Sequence, residues 1–462
     1  MGTQALAENV DTLRPRTARA ISPFGGLFIL MMLVSTYDKS GIPIGIGGRV
    51  VSVTIYKLMF VVLALSAVAD LLMRRPPARV AIDRGLLKLI VAFVLVQTWA
   101  SLVGGLITPG GIPVSAEIYY FIQRAHLVFI PLIALKVRLS PRSVLVLFFG
   151  AVLIHYAFVA LQFISSSAYG AFVEAVADPL RRDNSLGWTG ESVDFIGLQR
   201  TGHYGAFVAA FGLLALGFCP RRRHARRLVY AVAWLAVTMA VLFSSRAVFI
   251  MATTGLLVFW MKTKVLSKLQ ISLALGALAT VVVGGILFDE LELSKVPALY
   301  AFVDPERNAE GGEGKLLILA NSPHMVARSP VFGWGQRRFA DIADTQGLGD
   351  VVAEVSHFYF LSVLLSSGVI GLLAEIAATV AIARALWRRK EREYAIMCAV
   401  FVGVGIHSLL YDAGHLDVFA CFNGTAAYWA LRSVCPKTPN GGGNRMRIAA
   451  SVPGSLRSPA VQ

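Results

Sequence analysis

The chain has 462 residues, and its 43 Lys and Arg against 27 Asp and Glu give a formal net charge of +16. In a soluble protein that excess would suggest nucleic-acid binding, but 56% hydrophobic residues, only 15% charged residues and a mean hydropathy of +0.66 exclude an ordinary soluble domain. Apolar runs of about 17 to 25 residues recur, each long enough to cross a bilayer core of roughly 30 Å. The composition therefore predicts a polytopic membrane protein with no nucleic-acid partner.

Apolar runs in lipid must satisfy their own backbone hydrogen bonds, so we expect every run to be a helix. The predicted fold class is all-α, a polytopic integral membrane bundle of about twelve transmembrane helices. In chain order the predicted spans cover residues 21–37, 50–72, 85–105, 118–136, 144–165, 203–219, 228–244, 247–261, 269–288, 357–386, 395–411 and 416–432. Arginines precede the first run without a small-residue cleavage site, so we expect a retained first span rather than a signal peptide.

The connections between the predicted spans alternate in charge. Basic segments follow every second span, at residues 74–79, 136–142, 221–227, 262–268 and 388–393. The connections between them are nearly free of lysine, at residues 108–117, near Ser245 and at residues 411–417. Because basic loops stay in the cytoplasm, the alternation predicts that both termini are cytoplasmic.

Two outward connections, residues 166–202 and 289–356, are too long to be simple links, and loops of such length are usually functional or disordered. The second is a large loop between the ninth and tenth spans. It contains residues 315–330, whose spaced apolar positions predict an amphipathic helix at the membrane surface. The predicted organisation is a cytoplasmic N-terminal segment, a transmembrane domain and a disordered cytoplasmic tail, at residues 1–20, 21–435 and 436–462.

Two arginines lie where outward connections meet the spans. Arg200 is next to the sixth span, and Arg246 is in the short turn between the seventh and eighth spans. A charge beside the bilayer is costly, so its presence there favours an anionic partner. The alternative is a side chain that extends to lipid phosphates.

The segment GWGQRRF, residues 333–339, combines glycines with basic side chains. Gly333 and Gly335 would let the backbone approach a ligand beside Arg337 and Arg338, although the string matches neither a P-loop nor a dinucleotide fingerprint. A solvated surface turn is the alternative. The outward side contains no DxD carboxylate pair, so the sequence predicts no metal site.

Histidines near the outer face include a candidate general base. His357 stands where the chain re-enters a span, and a helix start positions a side chain well. An imidazole with its unperturbed pKa near 6.5 can accept a proton near neutral pH, while a hydrogen bond to the loop is the alternative role. His324 and His203 are the next candidates, and His415 shares with Asp417 a turn that we interpret as a solvated hairpin.

Lys57, Arg124 and Glu375 are the candidates for charges inside predicted spans. A secondary transporter is expected to carry paired charges or broken helices near the middle of the membrane. In the sequence these three residues look isolated, whereas the candidate cations cluster at the outer face. A transporter therefore remains the alternative rather than the first interpretation.

Three motifs occur in a characteristic order, SRAVFI at residues 245–250, SPVFGWGQRRF at residues 329–339 and SHFYFLSVLLSSGVIGLLAEI at residues 356–376. Together with RTGHYG at residues 200–205, they resemble the O-antigen ligase and polysaccharide polymerase superfamily of bacterial inner-membrane glycosyltransferases. The resemblance covers the chain from residue 195 to residue 390. It implies that the two long loops are periplasmic.

The resemblance also implies the activity. A glycan on undecaprenyl pyrophosphate would be transferred to a sugar hydroxyl of a glycan or glycolipid acceptor, without a metal or cofactor, for lipopolysaccharide or exopolysaccharide synthesis. Arg200 and Arg246 would hold the pyrophosphate, and His357 would accept the hydroxyl proton. The substrate would contact the remaining candidates, Arg337, Arg338, Gly333, Gly335, His324 and His203. Other polysaccharide-assembly proteins would be further partners. The choice between ligase and polymerase stays open, and the alternative is a polytopic transporter or a lipid-linked oligosaccharide flippase.

Overall fold

The computed structural model describes residues 22–35, 41–46, 49–73, 82–165, 246–263, 318–337, 339–347, 358–410 and 417–433, together with isolated positions between 167 and 227. The helices within these ranges are α1 (Pro23–Leu33), α2 (Ile55–Met73), α3 (Arg84–Ile107), α4 (Val114–Lys136), α5 (Pro141–Ile164), α6 (Arg246–Thr263), α7 (Phe339–Thr345), α8 (Tyr359–Arg388), α9 (Arg392–Leu410) and α10 (Asp417–Ser433). All except α7 coincide with predicted spans. The predicted spans 203–219, 228–244 and 269–288 fall mostly or wholly outside the described residues, so the total of twelve stays a prediction.

The long helices have the length and composition of membrane spans. Of the described helices, α3, α4, α8 and residues Arg392–Leu409 of α9 are long and apolar enough to cross a bilayer, while α1 and parts of α5 and α6 are apolar but shorter. Large apolar side chains such as Leu95, Trp99 and Leu373 are exposed on the outside of the bundle. Extended apolar surface of this kind marks contact with lipid, so the chain is an integral membrane protein of mainly helical fold.

The all-α prediction needs one correction. A two-stranded antiparallel hairpin precedes α2, with β1 (Gly41–Ile46) paired to β2 (Arg49–Thr54). The second predicted span began at residue 50, whereas α2 begins at Ile55. β-Branched residues favour strands, and a Gly-Gly pair between two such runs is typical of a hairpin. High hydropathy placed most of β2 within an apparent membrane span, whereas β1 lies in the connection before that span.

Helix α10 is at the centre of the bundle and contacts α3, α4, α5, α8 and α9. Small residues allow its close approach, because a Cβ on Gly424 would lie 2.6 Å from the carbonyl oxygen of His126 in α4. Ala426 and Ala427 beside it are fully buried. Close packing through small residues is the main source of helix association in lipid, where burial of apolar surface gives little.

The bundle has two distinct ends, and we call the first the basic end. There the last turn of α10 meets the starts of α3 and α5, since Asp83 N–H donates to Leu431 O at 3.0 Å and Trp429 Nε1 donates to Pro141 O at 3.0 Å. A salt bridge between Arg142 and Glu393 joins the α4–α5 and α8–α9 connections. These basic connections therefore lie together, as the charge alternation predicts. The side of the membrane that they face stays a prediction.

The opposite end, which we call the polar end, is where α2, α4, α8 and α10 begin and α3 finishes. Residues 318–328 are helical, within the predicted amphipathic helix 315–330. Their buried side chains, Ile318 and Met325, pack in a cluster with Trp334, Phe339 and Leu365. The helix thus covers the loop that precedes α7, while its location at a membrane surface stays a prediction.

Candidate functional site

A cavity of about 190 Å³ lies between α3, α4, α8 and α10, and residues 336–342 complete its wall. Its lining combines aromatic rings, amides and charged groups. The aromatic residues are Phe93, Tyr120, Phe339, Tyr359 and Phe419, the amides are Gln97, Gln123, Gln336 and Asn423, and the charged residues are Arg124, Arg337 and Glu375. A concave site of apolar surface with a few placed polar groups is the first place to expect a ligand.

One wall of the cavity is made by a break in α8. Gly368, inside this helix, has a φ of 63° and a ψ of −166°, which interrupts the helical hydrogen bonding. The loop of residues 330–335 supplies partners for the freed groups. Four N–H groups donate across this contact, from Trp334 to Leu365 O at 2.6 Å, from Gly335 to Ser366 O at 3.0 Å, from Val369 to Pro330 O at 2.8 Å and from Ile370 to Val331 O at 3.4 Å. Non-helical backbone inside a membrane bundle is tolerated only where protein groups satisfy it, so the loop and α8 form one unit.

Glycines make this contact sterically possible. A Cβ on Gly333 would lie 2.5 Å from Leu365 O, and a Cβ on Gly368 would overlap a carbonyl oxygen of the loop. A Cβ on Gly335 would lie 3.0 Å from the Cα of Gly105 in α3. Gly333 and Gly335 also have φ values of 73° and 74°, which favour glycine. Among the described residues both glycines contact protein backbone, and their predicted contact with a ligand stays a prediction.

Arg337 connects the loop before α7 to the turn between α3 and α4 through hydrogen bonds. Its Nη1 donates to Pro109 O, and its Nη2 donates to Gly111 O at 2.6 Å. Partial burial lowers the pKa of Arg337, and the nearby carboxylate of Asp341 opposes that shift. An arginine stays protonated near neutral pH even so. The guanidinium is thus a charged part of the cavity wall whose position is set by two backbone carbonyls.

Opposite charges from different helices meet in the cavity. Arg124 of α4 interacts electrostatically with Glu375 of α8 and with Glu117 in the first turn of α4. Glu375 accepts hydrogen bonds from Gln97 Nε2 at 3.3 Å and from the Tyr359 hydroxyl. The sequence presents Arg124 and Glu375 as isolated charges, but the fold makes them partners. Ionisable residues inside a membrane bundle usually have a functional role.

Buried polar atoms of the cavity-lining side chains remain without hydrogen-bond partners among the described residues. They are Arg124 Nη1, Gln97 Oε1 and Gln123 Oε1. The amide orientations follow from their partners, because Gln97 Nε2 donates to Glu375 and Gln123 Nε2 donates to Asp417 at 2.6 Å. An unpaired buried polar atom costs about 1–3 kcal/mol. Such atoms in a native protein call for an explanation, and a ligand that donates and accepts hydrogen bonds supplies one.

A buried ion pair that sequence reasoning missed lies next to the cavity. Lys57 Nζ is 3.0 Å from Asp417 Oδ1, and the two side chains are 5% and 1% exposed. Asp417 also accepts hydrogen bonds from Gln123 and, at 3.1 Å, from Thr54 Oγ1. The interpretation of Asp417 as part of a solvated hairpin is therefore wrong. The sequence did contain a signal for this pair. Lys57 and Asp417 lie in the first turns of two apolar helices, α2 and α10, and both helices begin at the polar end.

Four of the nine predicted catalytic and binding residues lie outside the described residues, namely Arg200, His203, Arg338 and His357. Arg246 is the first residue of α6, although its side chain is not described. The last turn of α6 is at the basic end, because Lys262 Nζ donates to Leu386 O at 3.2 Å. Arg246 therefore starts its helix at the polar end. His324 is exposed on the helical segment 318–328, and its predicted contact with substrate stays a prediction.

Comparison with known proteins identifies one part of the chain. Residues 231–376 match the family model described as O-antigen ligase. This part of the chain is similar to O-antigen ligases. The match confirms the resemblance to the O-antigen ligase and polymerase superfamily that the three motifs indicate. No curated protein matches the chain significantly.

The residues that match the O-antigen ligase family model form only part of the cavity wall. The matched residues include α6, the loop before α7, and α8 as far as Ile376. Helices α3, α4 and α10 lie outside the match and supply Gln97, Arg124 and Asn423. The motifs of the family therefore indicate one wall, whereas the opposite wall becomes visible only in the folded bundle.

Proposed function

We propose that this protein transfers a glycan from undecaprenyl pyrophosphate to a sugar hydroxyl at the periplasmic face of the bacterial inner membrane, as an O-antigen ligase or a polysaccharide polymerase. The observation that carries the proposal is the polar cavity that the residues matching the O-antigen ligase family model share with α3, α4 and α10. A lipid-linked glycan has an apolar tail and a hydroxyl-rich head. A polar chamber at one end of an apolar bundle suits both parts.

His357 is proposed as the general base. Consecutive Cα atoms are 3.8 Å apart, so the chain keeps His357 within about 7.6 Å of Tyr359, Cα to Cα. Tyr359 lines the cavity. An acceptor hydroxyl is a poor nucleophile until a base removes its proton, and this help typically contributes about 10² to 10⁴ in rate.

Arg246 and Arg200 are proposed to stabilise the pyrophosphate leaving group. A guanidinium donates two parallel hydrogen bonds to phosphate oxygens, and fixed positive charge where negative charge develops lowers the barrier. The start of α6 at the polar end supports this role for Arg246. Two arginines in place of a divalent cation make the proposed route independent of metal.

The other candidate binding residues are proposed to act around the cavity. Arg338, His203 and His324 would contact the glycan or the lipid headgroup. Arg337 and the glycines of residues 333–335 support the wall, because their described contacts are with protein backbone. Their contribution to binding would then be the position of the loop.

A second candidate, a transporter or lipid-linked oligosaccharide flippase, is favoured by two observations. Helix α8 is broken at Gly368, and Lys57 forms a buried pair with Asp417. Broken helices and intramembrane charges are features of transporters. The pair, however, joins the first turns of α2 and α10 rather than their middles, and the break is sealed by the loop of residues 330–335. We therefore place this candidate second.

The experiment that separates the two candidates uses the full chain in proteoliposomes. Lipid-linked glycan is isolated from host membranes, and two quantities are measured: transfer to the acceptor, and passage of the lipid between leaflets. We expect transfer that a chelator does not inhibit. Arg246→Lys should lose most of the transfer, because an ammonium cannot replace the planar guanidinium. Passage without transfer, or full transfer by Arg246→Ala at normal membrane levels, would contradict the proposal.

A further inference from the structure

We infer that the cavity binds an uncharged sugar ring of the substrate and that the pyrophosphate is held elsewhere. This inference rests on the proposed function and assigns the sugar and the phosphates of the substrate to different sites. The cavity between α3, α4, α8 and α10 would bind the glycan, and Arg246 and Arg200 would hold the lipid phosphates. Three properties of the cavity support it: its charge balance, its spare hydrogen-bonding atoms and its aromatic lining.

The charge balance disfavours a pyrophosphate in the cavity. Arg124 already interacts electrostatically with the carboxyl groups of Glu117 and Glu375. Arg337, the other cation of the lining, donates to two backbone carbonyls and interacts with Asp341. A doubly charged phosphate group would bring further negative charge close to these carboxylates, and like charges at short range repel strongly in a poorly solvated site.

The spare hydrogen-bonding atoms suit hydroxyl groups. Gln97 Oε1 and Gln123 Oε1 are buried acceptors without partners among the described residues, and Arg124 Nη1 is a buried donor without one. A pyrophosphate can only accept hydrogen bonds, so it would leave both amide oxygens unpaired. A hydroxyl has one proton to donate and two lone pairs to accept with. A hydroxyl can therefore pair with either kind of atom, whereas a pyrophosphate can pair only with the donor.

The size and lining of the cavity suit a sugar ring. Its volume of about 190 Å³ is roughly 13 to 19 times the 10–15 Å³ that one water molecule requires. Aromatic rings such as Phe93, Tyr120 and Phe419 line it. Flat aromatic faces give the C–H side of a sugar ring an apolar surface, while amides and charged groups bind its hydroxyls.

The experiment compares three probes on the full chain in nanodiscs. They are undecaprenyl pyrophosphate without a glycan, lipid-linked glycan isolated from host membranes, and the water-soluble glycan released from it by mild acid. The first variant is the double substitution Arg124→Gln with Glu375→Gln, which removes both charges together. The second is Asn423→Leu, which places an apolar group in the cavity without changing any charge. Arg142→Gln, an exposed arginine at the basic end, is the matched control.

We expect both cavity variants to weaken binding of the released glycan at least about tenfold, the effect of losing hydrogen bonds to charged or buried groups. Binding of glycan-free undecaprenyl pyrophosphate should not change. If lipid-linked glycan also loses affinity, the cavity holds the donor sugar. If only the released glycan does so, in the presence of saturating donor, the cavity holds the acceptor sugar. Arg142→Gln should bind all three probes normally.

Two results would overturn the inference. One is unchanged binding of the released glycan by both cavity variants when the variants are folded. The other is an equal loss of glycan-free undecaprenyl pyrophosphate, which would place the phosphates in the cavity. A wild-type protein that binds the glycan through the cavity but does not bind undecaprenyl pyrophosphate would instead contradict the proposed function, and the sugar site would stand.

Discussion

The polar end and the basic end of the bundle are built by the same helices, but their ion pairs differ in exposure to solvent. At the basic end, Arg142 and Glu393 lie 3.4 Å apart, and their side chains are 57% and 43% exposed. At the polar end, Lys57 and Asp417 form an ion pair that is almost completely buried. Exposed pairs contribute about 0–1 kcal/mol, whereas each buried ion carries a desolvation cost of several kcal/mol.

This difference supports the polar end as the location of the proposed chemistry. A helical bundle that only had to remain folded would gain by replacing buried charges with well-packed apolar side chains. The polar end instead keeps Lys57, Asp417, Arg124 and Glu375 and leaves hydrogen-bonding atoms of the cavity unpaired. The basic end resembles an ordinary surface of a membrane protein, with exposed charges such as Arg142 and Glu393.

The largest effect is expected from breaking the buried pair. Lys57→Met leaves the Asp417 carboxylate buried without its cation, and such a change costs about 3–5 kcal/mol. We expect a corresponding loss in the free energy of unfolding, measured by denaturant titration of the purified protein in detergent. The double variant Lys57→Met with Asp417→Leu removes both charges and should recover much of the loss. If Lys57→Met is as stable as the wild type, an unpaired Asp417 carboxylate at the polar end carries no desolvation cost.

A second effect at the same end concerns catalysis. His357→Ala should transfer glycan at least about a hundredfold more slowly, because general base catalysis typically contributes about 10² to 10⁴. His357→Gln keeps a hydrogen-bonding group without a base and should be nearly as slow. Transfer from the isolated lipid-linked donor is measured alongside donor binding, which should be normal in both variants.

Other outcomes for His357 assign different roles. If His357→Gln restores transfer, the histidine only orients the substrate. If His357→Ala is fully active, another group is the base, and His324 or His203 is tested next. The same assays on Arg142→Gln, at the basic end, should give wild-type rates.

The sequence predicts the helices of this protein better than it predicts the polar end. Runs of apolar residues determine membrane helices through length and hydropathy alone, so α3, α4, α8 and α9 begin within a few residues of the predictions. The hairpin before α2 was missed because its strands are as apolar as a span. Hydropathy alone therefore does not distinguish an apolar strand from the start of a membrane helix.

The candidate site was only partly predictable, for a different reason. The motif around Gly333 indicated a special backbone, but its contact with the break at Gly368 joins segments that the sequence separates by about 35 residues. The pairing of Lys57 with Asp417 and of Arg124 with Glu375 spans far longer separations. Nothing in the local sequence around a charged residue specifies a partner that another helix supplies.

A smaller effect tests whether the glycine contact supports the polar end. Gly333→Ala and Gly347→Ala both place a side chain at a φ near 70°, and each should cost about 1–2 kcal/mol for that reason. Only at Gly333 would the new Cβ meet a neighbour, Leu365 O at 2.5 Å, because Gly347 has open space around it. We expect Gly333→Ala to lose a further 1–3 kcal/mol or so of unfolding free energy, as overpacked sites do. If the two variants lose equal unfolding free energy, the positive φ alone explains why residue 333 is a glycine.

The smallest effect is expected at the basic end. Arg142→Ala removes one partner of an exposed ion pair, and water replaces the lost contact with Glu393. The expected loss of unfolding free energy is therefore at most about 1 kcal/mol, and it should decrease further as salt screens the pair. The measurement is the same denaturant titration at low and high salt. If Arg142→Ala loses as much unfolding free energy as Lys57→Met, the ion pairs at the two ends do not differ in their contribution to stability. The argument that the polar end is the functional end would then rest on the cavity alone.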